Sequence, residues 1–477
     1  MDRRVSGLLL QAAGTAVRGR EFTKKVLQRP VARLFAVILA VMLAVGLIFP
    51  LGNSISGSEP LPILDGRFDD WSEEDVVARD GKGDHAGAFD LGHVAFKTDD
   101  SFLYLHFNVG KILNLQNGPK SEGTLGLTLD LPDQRQLDID FRQRRASFSD
   151  NPNQRVPWTK LDFSCLPTYA SDTVELRVDL QAIGVKKNEP VLVNFRGSDT
   201  LDAPFEVRLR EGASQNARSL SRHAPNDFRV ASFNTLRGGL SDPKRKAAFQ
   251  RLIKAVNAAV YCFQEENEEA NFRKSASRFD HIHHTHWSNG CGIASSRPLT
   301  PLPLNLSRGV AAVCHLQDGF DVIIVNVHFR CCGYAGSRED QTRIKQSGEV
   351  VERLRQLQAG RYGESWKKTP IIVTGDYNLV GTRKPLSILE SLGLKPRSLV
   401  GQIDNAAVTW RGPPKESFWP GRLDIMVYSD ELTPKNGYIL DTARMKPSML
   451  TKFGLLSGDS QASDHLMLVG DFEFVRQ

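Results

Sequence analysis

Six short segments in the C-terminal half of the chain share one layout: an apolar run of strand-forming residues ends, and polar side chains suited to a metal ion or a phosphate group follow at once. The segments are Ala231-Ser232-Phe233-Asn234, Tyr261-Cys262-Phe263-Gln264-Glu265, Val325-Asn326-Val327-His328, Val373-Thr374-Gly375-Asp376-Tyr377-Asn378, Arg422-Leu423-Asp424 and Ser463-Asp464-His465. Side chains at the ends of neighbouring strands converge on one cleft in α/β proteins. Oxygen ligands with imidazoles nearby suit Mg²⁺ or Mn²⁺ better than zinc. The layout therefore predicts an α/β domain whose strands end around a divalent-metal site.

Predicted strands and helices alternate from residue 228 to residue 477, which is the pattern of an α/β domain. Apolar residues recur on one helical face in Lys244–Val256. Ser337, with Asp340 three positions later, is an N-cap signal for a helix that runs toward Leu357. The predicted strands are Phe228–Phe233, Val260–Phe263, Val322–Val327, Pro370–Thr374, Leu423–Tyr428 and Met467–Phe474.

Taken in order, the six segments resemble the endonuclease/exonuclease/phosphatase superfamily over about residues 228–477. Trp410 and the segment Gly292-Ile293-Ala294-Ser295-Ser296-Arg297 also stand where that family tends to have similar residues. Each motif alone is weak, because a single histidine is usually structural and an Asp-Asn pair is usually turn chemistry. The resemblance implies a four-layer α/β sandwich, with two mixed β-sheets packed between helices, and a hydrolase that acts on phosphoester bonds.

The resemblance assigns three positions to the metal. Glu265 resembles the metal-binding glutamate of the family, and Asn234 resembles the asparagine beside the metal. Asp464 resembles the metal-side neighbour of the catalytic histidine. The implied cofactor is Mg²⁺, with Mn²⁺ as the alternative.

Five further positions resemble the family's catalytic residues. Asp376 and Asn378 resemble the pair that places the attacking water and contacts the phosphate, and we expect both to lie on one extended segment and point the same way. His328 resembles the histidine that donates to a phosphoryl oxygen. His465 resembles a general base or phosphate-binding cation, which Asp424 orients. The general base stays open between His465 and Asp376.

The substrate is not decided by the sequence. His328 stands where the abasic-site branch of the family tends to have tyrosine, which favours the deoxyribonuclease, sphingomyelinase and phosphatase branches. Arg343 and Gln346 either aim at a phosphate backbone or lie on a solvated helix face. A nuclease, a phospholipid phosphodiesterase and a small-phosphoester hydrolase all stay open.

Residues 61–210 have the pattern of an all-β sandwich, with short strands and no long helical period. The opening Leu64-Asp65-Gly66-Arg67-Phe68-Asp69-Asp70-Trp71 resembles that of family 9 carbohydrate-binding modules. This resemblance implies contact with a glycan or cell wall, although we favour a core role for Trp71 because aromatic burial is common. Residues 211–227, rich in Ser, Asn, Arg, Gly and Ala, have the composition of a linker.

The N-terminal region predicts a membrane anchor. Residues 1–33 carry eight Lys or Arg side chains against Asp2 and Glu21, which accounts for the whole net charge of +6. The sixteen residues Leu34–Phe49 have no charged or polar side chain, and with flanks to residue 52 they suffice to span a bilayer. Because positive charge stays on the cytoplasmic side, we expect a single-pass cell-membrane protein with its C-terminal domains outside the cytoplasm. A cleaved signal peptide is the alternative.

The chain has six cysteines, Cys165, Cys262, Cys291, Cys314, Cys331 and Cys332, which can form disulfides outside the cytoplasm in a pairing that the sequence does not set. The adjacent Cys331 and Cys332 are expected to bond elsewhere rather than to each other. Four histidines, His281, His283, His284 and His286, are interpreted as an exposed strand and loop, since alternate residues of a strand face opposite sides.

A different class of function is also compatible with this organisation. The chain is then a non-catalytic glycan-binding protein of the cell surface with a degenerate phosphoesterase domain. A binding module has no need of Asp376, Asp424 and His465 together, so the sequence favours the enzyme.

Overall fold

The computed structural model describes residues 61–81, 83–84, 89–116, 123–211, 217–316 and 319–475. The basic arm, residues 1–33, and the predicted membrane anchor, residues 34–52, lie outside the described residues. Among the residues that are described, no helix has the length and apolar character needed to cross a membrane. Residues 58–477 form one compact unit.

Two five-stranded antiparallel sheets make up the first part of this unit, in the orders β1-β2-β3-β8-β7 and β10-β9-β4-β5-β6. The strands are β1 Val76–Arg79, β2 His93–Thr98, β3 Phe102–Leu113, β4 Leu125–Asp130, β5 Gln136–Asp140, β6 Arg145–Phe148, β7 Ser164–Leu166, β8 Ser171–Asp179, β9 Val191–Gly197 and β10 Phe205–Val207, with a short helix, α1 Trp158–Leu161, before β7. Alternate residues of β3, such as Leu105 and Phe107, enter the core between the two sheets. The sandwich predicted for residues 61–210 is therefore present in the described part of that range.

Two six-stranded mixed sheets follow, in the orders β13-β14-β12-β11-β22-β21 and β15-β16-β17-β18-β20-β19. The strands are β11 Phe228–Asn234, β12 Val260–Gln264, β13 His284–Ser288, β14 Cys291–Ser295, β15 Leu299–Pro301, β16 Gly309–His315, β17 Asp321–His328, β18 Ile371–Asp376, β19 Lys395–Pro396, β20 Asp424–Tyr428, β21 Leu432–Leu440 and β22 Met467–Phe474. The helices are α2 Lys246–Val256, α3 Glu269–Ala276, α4 Arg338–Gln358, α5 Lys384–Glu390 and α6 Pro447–Phe453. In each sheet one central pair is parallel, β11 with β12 and β17 with β18.

The two mixed sheets pack face to face, with helices on their outer sides. Val230 of β11 and Ile324 of β17 belong to the apolar layer between the sheets. The outer face of the first sheet packs against α2 and α3, and that of the second packs against α4 and α5. The mixed α/β fold predicted for residues 228–477 is thus confirmed, and the layers follow from strands that are apolar on both faces.

The sandwich and the mixed sheets share an apolar boundary. Tyr104, on the face of β3 that points away from the sandwich core, and Leu64 and Leu166 join the same apolar cluster as Val230 and Ile324. In the opposite direction, Trp419 of the C-terminal region inserts into the sandwich core, where its ring makes edge contacts with Phe141, Trp158 and Phe163. Each region therefore completes part of the core of the other.

Candidate active site

The polar residues at the strand ends meet at one edge of the paired mixed sheets. Asn234 ends β11 and pairs in register with Gln264, which Glu265 follows. On the facing sheet, His328 ends β17 opposite Asp376, and Asp376 lies opposite Asp424, the first residue of β20. Parallel pairing aligns the carboxyl ends of β11 with β12 and of β17 with β18. A hydrogen bond from Asn234 to Asp376 brings the two pairs of ends together.

A glycine permits the close approach of β18 to β17 just before Asp376. Gly375 has a φ of +144°, and a Cβ atom at this position would lie 1.9 Å from the carbonyl oxygen of Val327. Only glycine adopts this conformation without strain. The backbone conformation therefore requires glycine at position 375, next to the chemically important Asp376.

The amide of Asn234 joins the two sheets. Its Nδ2 donates to Glu265 Oε1 at 3.2 Å and to Asp376 Oδ2 at 3.0 Å. Its Oδ1 accepts from the backbone N–H of Leu236 at 3.0 Å, which fixes the orientation of the amide. Asn234 was predicted beside the metal; in this structure its amide holds the two carboxylates, and its metal role stays a prediction.

Glu265 lies at the mouth of the site in a left-handed conformation, with φ of +60°. Such backbone is uncommon for residues other than glycine and clusters at functional sites. Burial opposes ionisation, but hydrogen bonds from the backbone N–H of Arg237 and from Asn234 lower the pKa of the Glu265 carboxyl below its ordinary value. Glu265 is therefore an anion at neutral pH.

His465 and Asp424 form a buried dyad. His465 Nδ1 lies 2.8 Å from Asp424 Oδ2, and Thr409 Oγ1 accepts from the backbone N–H of Asp424 at 3.0 Å. Burial alone would lower the pKa of His465, but the negative charges of Asp424 and then Asp376 raise it to about 10. The imidazole is therefore held as a cation, with Nε2 directed toward Asp376 Oδ2 at 3.8 Å.

Asp376 lies at the centre of the site, between two histidines. His328 Nε2 is 3.6 Å from Asp376 Oδ2, and Asn378 donates its backbone N–H to Asp376 Oδ1 at 2.9 Å. Burial raises the pKa of Asp376 to about 7, against the opposing charge of His465. Near neutral pH this group is poised to exchange a proton.

His328 has the opposite electrostatic environment to His465. Burial and then the charge of Arg308 lower the pKa of His328 to about 4, so its imidazole is neutral. Arg308 Nη2 lies 3.4 Å from His328 Nδ1. Because arginine only donates, this contact favours the tautomer that carries its proton on Nε2. His328 can then donate a hydrogen bond into the site, and its role toward a phosphoryl oxygen stays a prediction.

The conformation of Asn378 differs from the expectation. We expected Asp376 and Asn378 on one extended segment, but β18 ends at Asp376 and Asn378 has a left-handed φ of +47°. The carboxylate of Asp376 accepts the Asn378 N–H and so forms a local turn. Asn378 Nδ2 donates to the backbone carbonyl of Phe329 at 3.2 Å, which links this turn to the segment after His328.

Asp464 is held by Trp410, whose Nε1 donates to Asp464 Oδ2 at 3.2 Å. Trp410 also pairs with His465 through an isolated β-bridge. Trp410 therefore positions the segment that carries His465. The metal role of Asp464 stays a prediction.

The side chains of Arg343 and Gln346 are buried, so the alternative of a solvated helix face was wrong. The Arg343 side chain is buried and donates from Nη1 to the carbonyl oxygens of Arg330 and Cys332, while Gln346 Oε1 accepts from the N–H of Arg330. These side chains supply hydrogen-bond partners to the irregular segment after His328, whose backbone groups have no strand partner.

Two other sequence interpretations concern residues outside the site. The Trp71 indole is partly buried and donates to Glu175 Oε2 at 3.1 Å, which agrees with a core role. The four histidines from 281 to 286 do not belong to either of the metal-compatible groups of side chains found in the described residues; one of those groups is Asp376, Asp424 and His465.

Asn114 of the sandwich contacts two segments of the active-site edge and was missed in the sequence. Its Nδ2 donates to the carbonyl oxygens of Val380 at 3.0 Å and Gly381 at 3.3 Å, just after Asn378. Its Oδ1 accepts from the N–H of Ala335 at 2.7 Å, in the segment after His328. No local motif marks this residue, because its partners are more than 200 positions away.

We expect Asn114→Ala to lower kcat for phosphoester hydrolysis by about 10- to 100-fold, because small displacements of positioned groups cost rate on that scale. The free energy of unfolding should fall by about 1–3 kcal/mol, since buried backbone groups lose their partner. Steady-state kinetics and denaturant unfolding measure both effects. The matched control is Asn151→Ala, which removes an exposed contact with Gln154 and should leave kcat unchanged. Equal kcat values for the two variants would contradict a positioning role for Asn114.

Comparisons with known proteins found a family model and several solved structures that are similar to part of the chain. A family model described as the Endonuclease/Exonuclease/phosphatase family matches residues 231–465. The catalytic domain of human Nocturnin, solved with a bound sulfate anion, is 20% identical, with 52% of this chain and 95% of that chain covered and a TM-score of 0.38. A beta toxin from Staphylococcus aureus is 16% identical, with 51% and 99% covered and a TM-score of 0.37. A protein of the same family from Bacteroides thetaiotaomicron is 15% identical, with 53% and 100% covered and a TM-score of 0.38. No curated protein sequence matches the chain.

Proposed function

We propose that the hydrolysis of phosphoester bonds by this chain depends on a divalent cation bound at Glu265. The premise is that residues 231–465 belong to the endonuclease/exonuclease/phosphatase family and that the chain is a hydrolase of phosphoester bonds. The observation that carries the proposal is the shared amide of Asn234, which brings the carboxylates of Glu265 and Asp376 from two different sheets to one point. The His465–Asp424 dyad lies beside that point.

The donor set fits Mg²⁺, with Mn²⁺ as the alternative. Mg²⁺ usually takes one or two carboxylates and keeps water and phosphate oxygens as its other ligands. Glu265, kept ionised by its hydrogen bonds, supplies the carboxylate ligand. When bound, the ion neutralises negative charge that develops on the phosphoryl oxygens.

Three side chains bind the phosphate and activate the attacking water. His328 donates from Nε2 to a phosphoryl oxygen, and the cationic His465 stabilises negative charge near the phosphorus. Asp376, with its pKa near 7, orients the attacking water and accepts a proton from it. The raised pKa of His465 therefore favours Asp376 as the base and His465 as the phosphate-binding cation.

We also propose that the chain is anchored in the cell membrane by residues 34–52, with the two folded regions outside the cytoplasm. The support is the basic arm followed by sixteen apolar residues. Contact of residues 61–210 with a glycan or cell wall rests only on the resemblance of their opening motif. The substrate is a phosphodiester or phosphomonoester, in a nucleic acid, a phospholipid or a small molecule.

Hydrolysis of bis-p-nitrophenyl phosphate tests the metal-dependent reaction. We expect turnover with Mg²⁺, loss of turnover with EDTA, and recovery when excess Mg²⁺ or Mn²⁺ is added. A rate that EDTA leaves unchanged contradicts the metal site. A folded protein that shows no turnover with any divalent metal favours the non-catalytic alternative. A panel of plasmid DNA, RNA, sphingomyelin and inositol phosphates then identifies the substrate class.

A further inference from the structure

Cys331 and Cys332 differ from the other cysteines in their exposure. Both are exposed, whereas Cys165, Cys262, Cys291 and Cys314 are buried, and all six are free thiols. The pair lies in the irregular segment that follows His328, at the edge of the active site. These two thiols are therefore accessible to reagents that the other four do not meet.

The two sulphur atoms lie close together. Cys331 Sγ and Cys332 Sγ are 2.8 Å apart, whereas a disulfide bond is about 2.05 Å long. We expected adjacent cysteines to bond elsewhere, but the side chains are turned toward each other. Cys332 has a left-handed φ of +71°, and the buried guanidinium of Arg343 holds its carbonyl oxygen at 2.6 Å. The two thiols therefore face each other.

We propose that Cys331 and Cys332 are a reversible redox site, in which thiol–disulfide exchange with a disulfide oxidant closes a bond between the two adjacent sulphur atoms. The thiolate of Cys331 attacks one sulphur of the oxidant, which leaves a mixed disulfide and releases one thiol. The thiolate of Cys332 then attacks the Cys331 sulphur and releases the second thiol. Two cysteine thiols are oxidised, and one oxidant disulfide is reduced to two thiols.

The bond is suited to reversal rather than to permanent stabilisation. Disulfides usually join Cα atoms about 4.4–6.8 Å apart, whereas adjacent residues in a trans peptide are held at about 3.8 Å. The resulting strain makes the bond easier to reduce. Burial and the contact with Cys331 also raise the pKa of the Cys332 thiol to about 11.

Formation of the Cys331–Cys332 disulfide affects backbone that is hydrogen-bonded to the active site. Arg343 holds the carbonyl oxygens of both Arg330 and Cys332. The neighbouring Phe329 donates its N–H to the carbonyl of Asp376 at 2.9 Å and accepts from Asn378 Nδ2. A change in the Cys331–Cys332 peptide therefore reaches the turn that carries Asp376 and Asn378, and oxidation should lower kcat.

Mass spectrometry tests the bond directly, because trypsin cuts after Arg330 and Arg338 and releases both thiols on one fragment without other cysteines. The full chain is treated with oxidised glutathione, alkylated while folded and digested. We expect the fragment to lose the mass of two hydrogen atoms and to resist alkylation. Dithiothreitol should restore two alkylation sites. Cys331→Ser and Cys332→Ser should each give a glutathione adduct instead. A wild-type fragment that is unchanged, keeps glutathione or links to another chain overturns the proposal.

Activity provides the second readout. Oxidised and reduced wild-type protein are compared in the bis-p-nitrophenyl phosphate assay, with the double variant Cys331→Ser/Cys332→Ser as a control that glutathione should not affect. A lower kcat in the oxidised wild-type protein, reversed by dithiothreitol, supports the coupling. Equal rates of the two wild-type forms overturn the coupling, and equal inhibition of the double variant shows that glutathione acts elsewhere. The mass measurement does not depend on turnover, so it separates failure of this proposal from failure of the proposed function.

Discussion

Replacing His465 with alanine is expected to lower kcat for phosphoester hydrolysis by about 10²–10⁴-fold, the range in which a positioned acid, base or charge contributes to catalysis. The His465 imidazole is buried and its Nδ1 is hydrogen-bonded to Asp424. Because two carboxylates raise the pKa of His465, its Nε2 is a positively charged donor in a fixed position. Alanine removes that donor and leaves Asp424 buried without its partner. Single-turnover rates with saturating Mg²⁺ measure the loss.

The chain contains a matched control for this variant. His315 and Asp321 form a second histidine–aspartate pair, also with Nδ1 at 2.8 Å from the carboxylate, but about one third of each side chain is exposed. This pair lies at the start of β17, at the opposite end from His328. His315→Ala should therefore leave kcat unchanged. Comparable losses in the two variants would show that His465 acts through stability, and an active His465→Ala protein would remove the dyad from the mechanism.

The sequence predicted the composition of the site better than its geometry. Residues such as Asn234, Asp376 and His328 end apolar strands, and strand periodicity together with parallel pairing is enough to place such ends at one edge. The directions of the side chains were harder to predict from the sequence. Asn378 leaves the extended conformation because Asp376 accepts its N–H, and Arg343 is buried because the segment after His328 needs its donors. Both reasons depend on partners that a local pattern does not contain.

Tertiary contacts account for the elements that the sequence did not predict. The strand β21 is interrupted between Pro434 and Gly437, where its pairing with β22 shifts register, so the alternation that marks a strand is lost. Asn114 and Trp419 show the same limit at a larger scale, since each acts in the other folded region. Local propensity determines which segments become strands, whereas long-range packing determines which distant residues contact them.

Glu265 and Glu266 are adjacent in the sequence, and the structure separates their roles. Glu265 faces Asn234 and the site, whereas Glu266 is buried and accepts from Thr235 Oγ1 at 2.5 Å and from the N–H of Leu240 at 3.1 Å. Glu265 is therefore the residue to which the proposed metal site is assigned. Glu266 instead holds the backbone that follows β11.

Glu265→Gln is expected to raise the Mg²⁺ concentration for half-maximal rate by about 100-fold or more, because loss of a residue that only supports a ligand already costs about 10–100-fold in metal affinity. Glutamine keeps the size and the hydrogen-bond acceptor but removes the charge. Metal titration of the rate, supported by calorimetric Mg²⁺ binding, measures the change. Glu266→Gln is the control: it should lower the free energy of unfolding and leave the Mg²⁺ midpoint unchanged, because its carboxylate is hydrogen-bonded to Thr235 and Leu240. If Glu266→Gln shifts the midpoint and Glu265→Gln does not, the metal is bound on the other side of this strand end, and the convergence of Glu265 and Asp376 on Asn234 has a purely structural role.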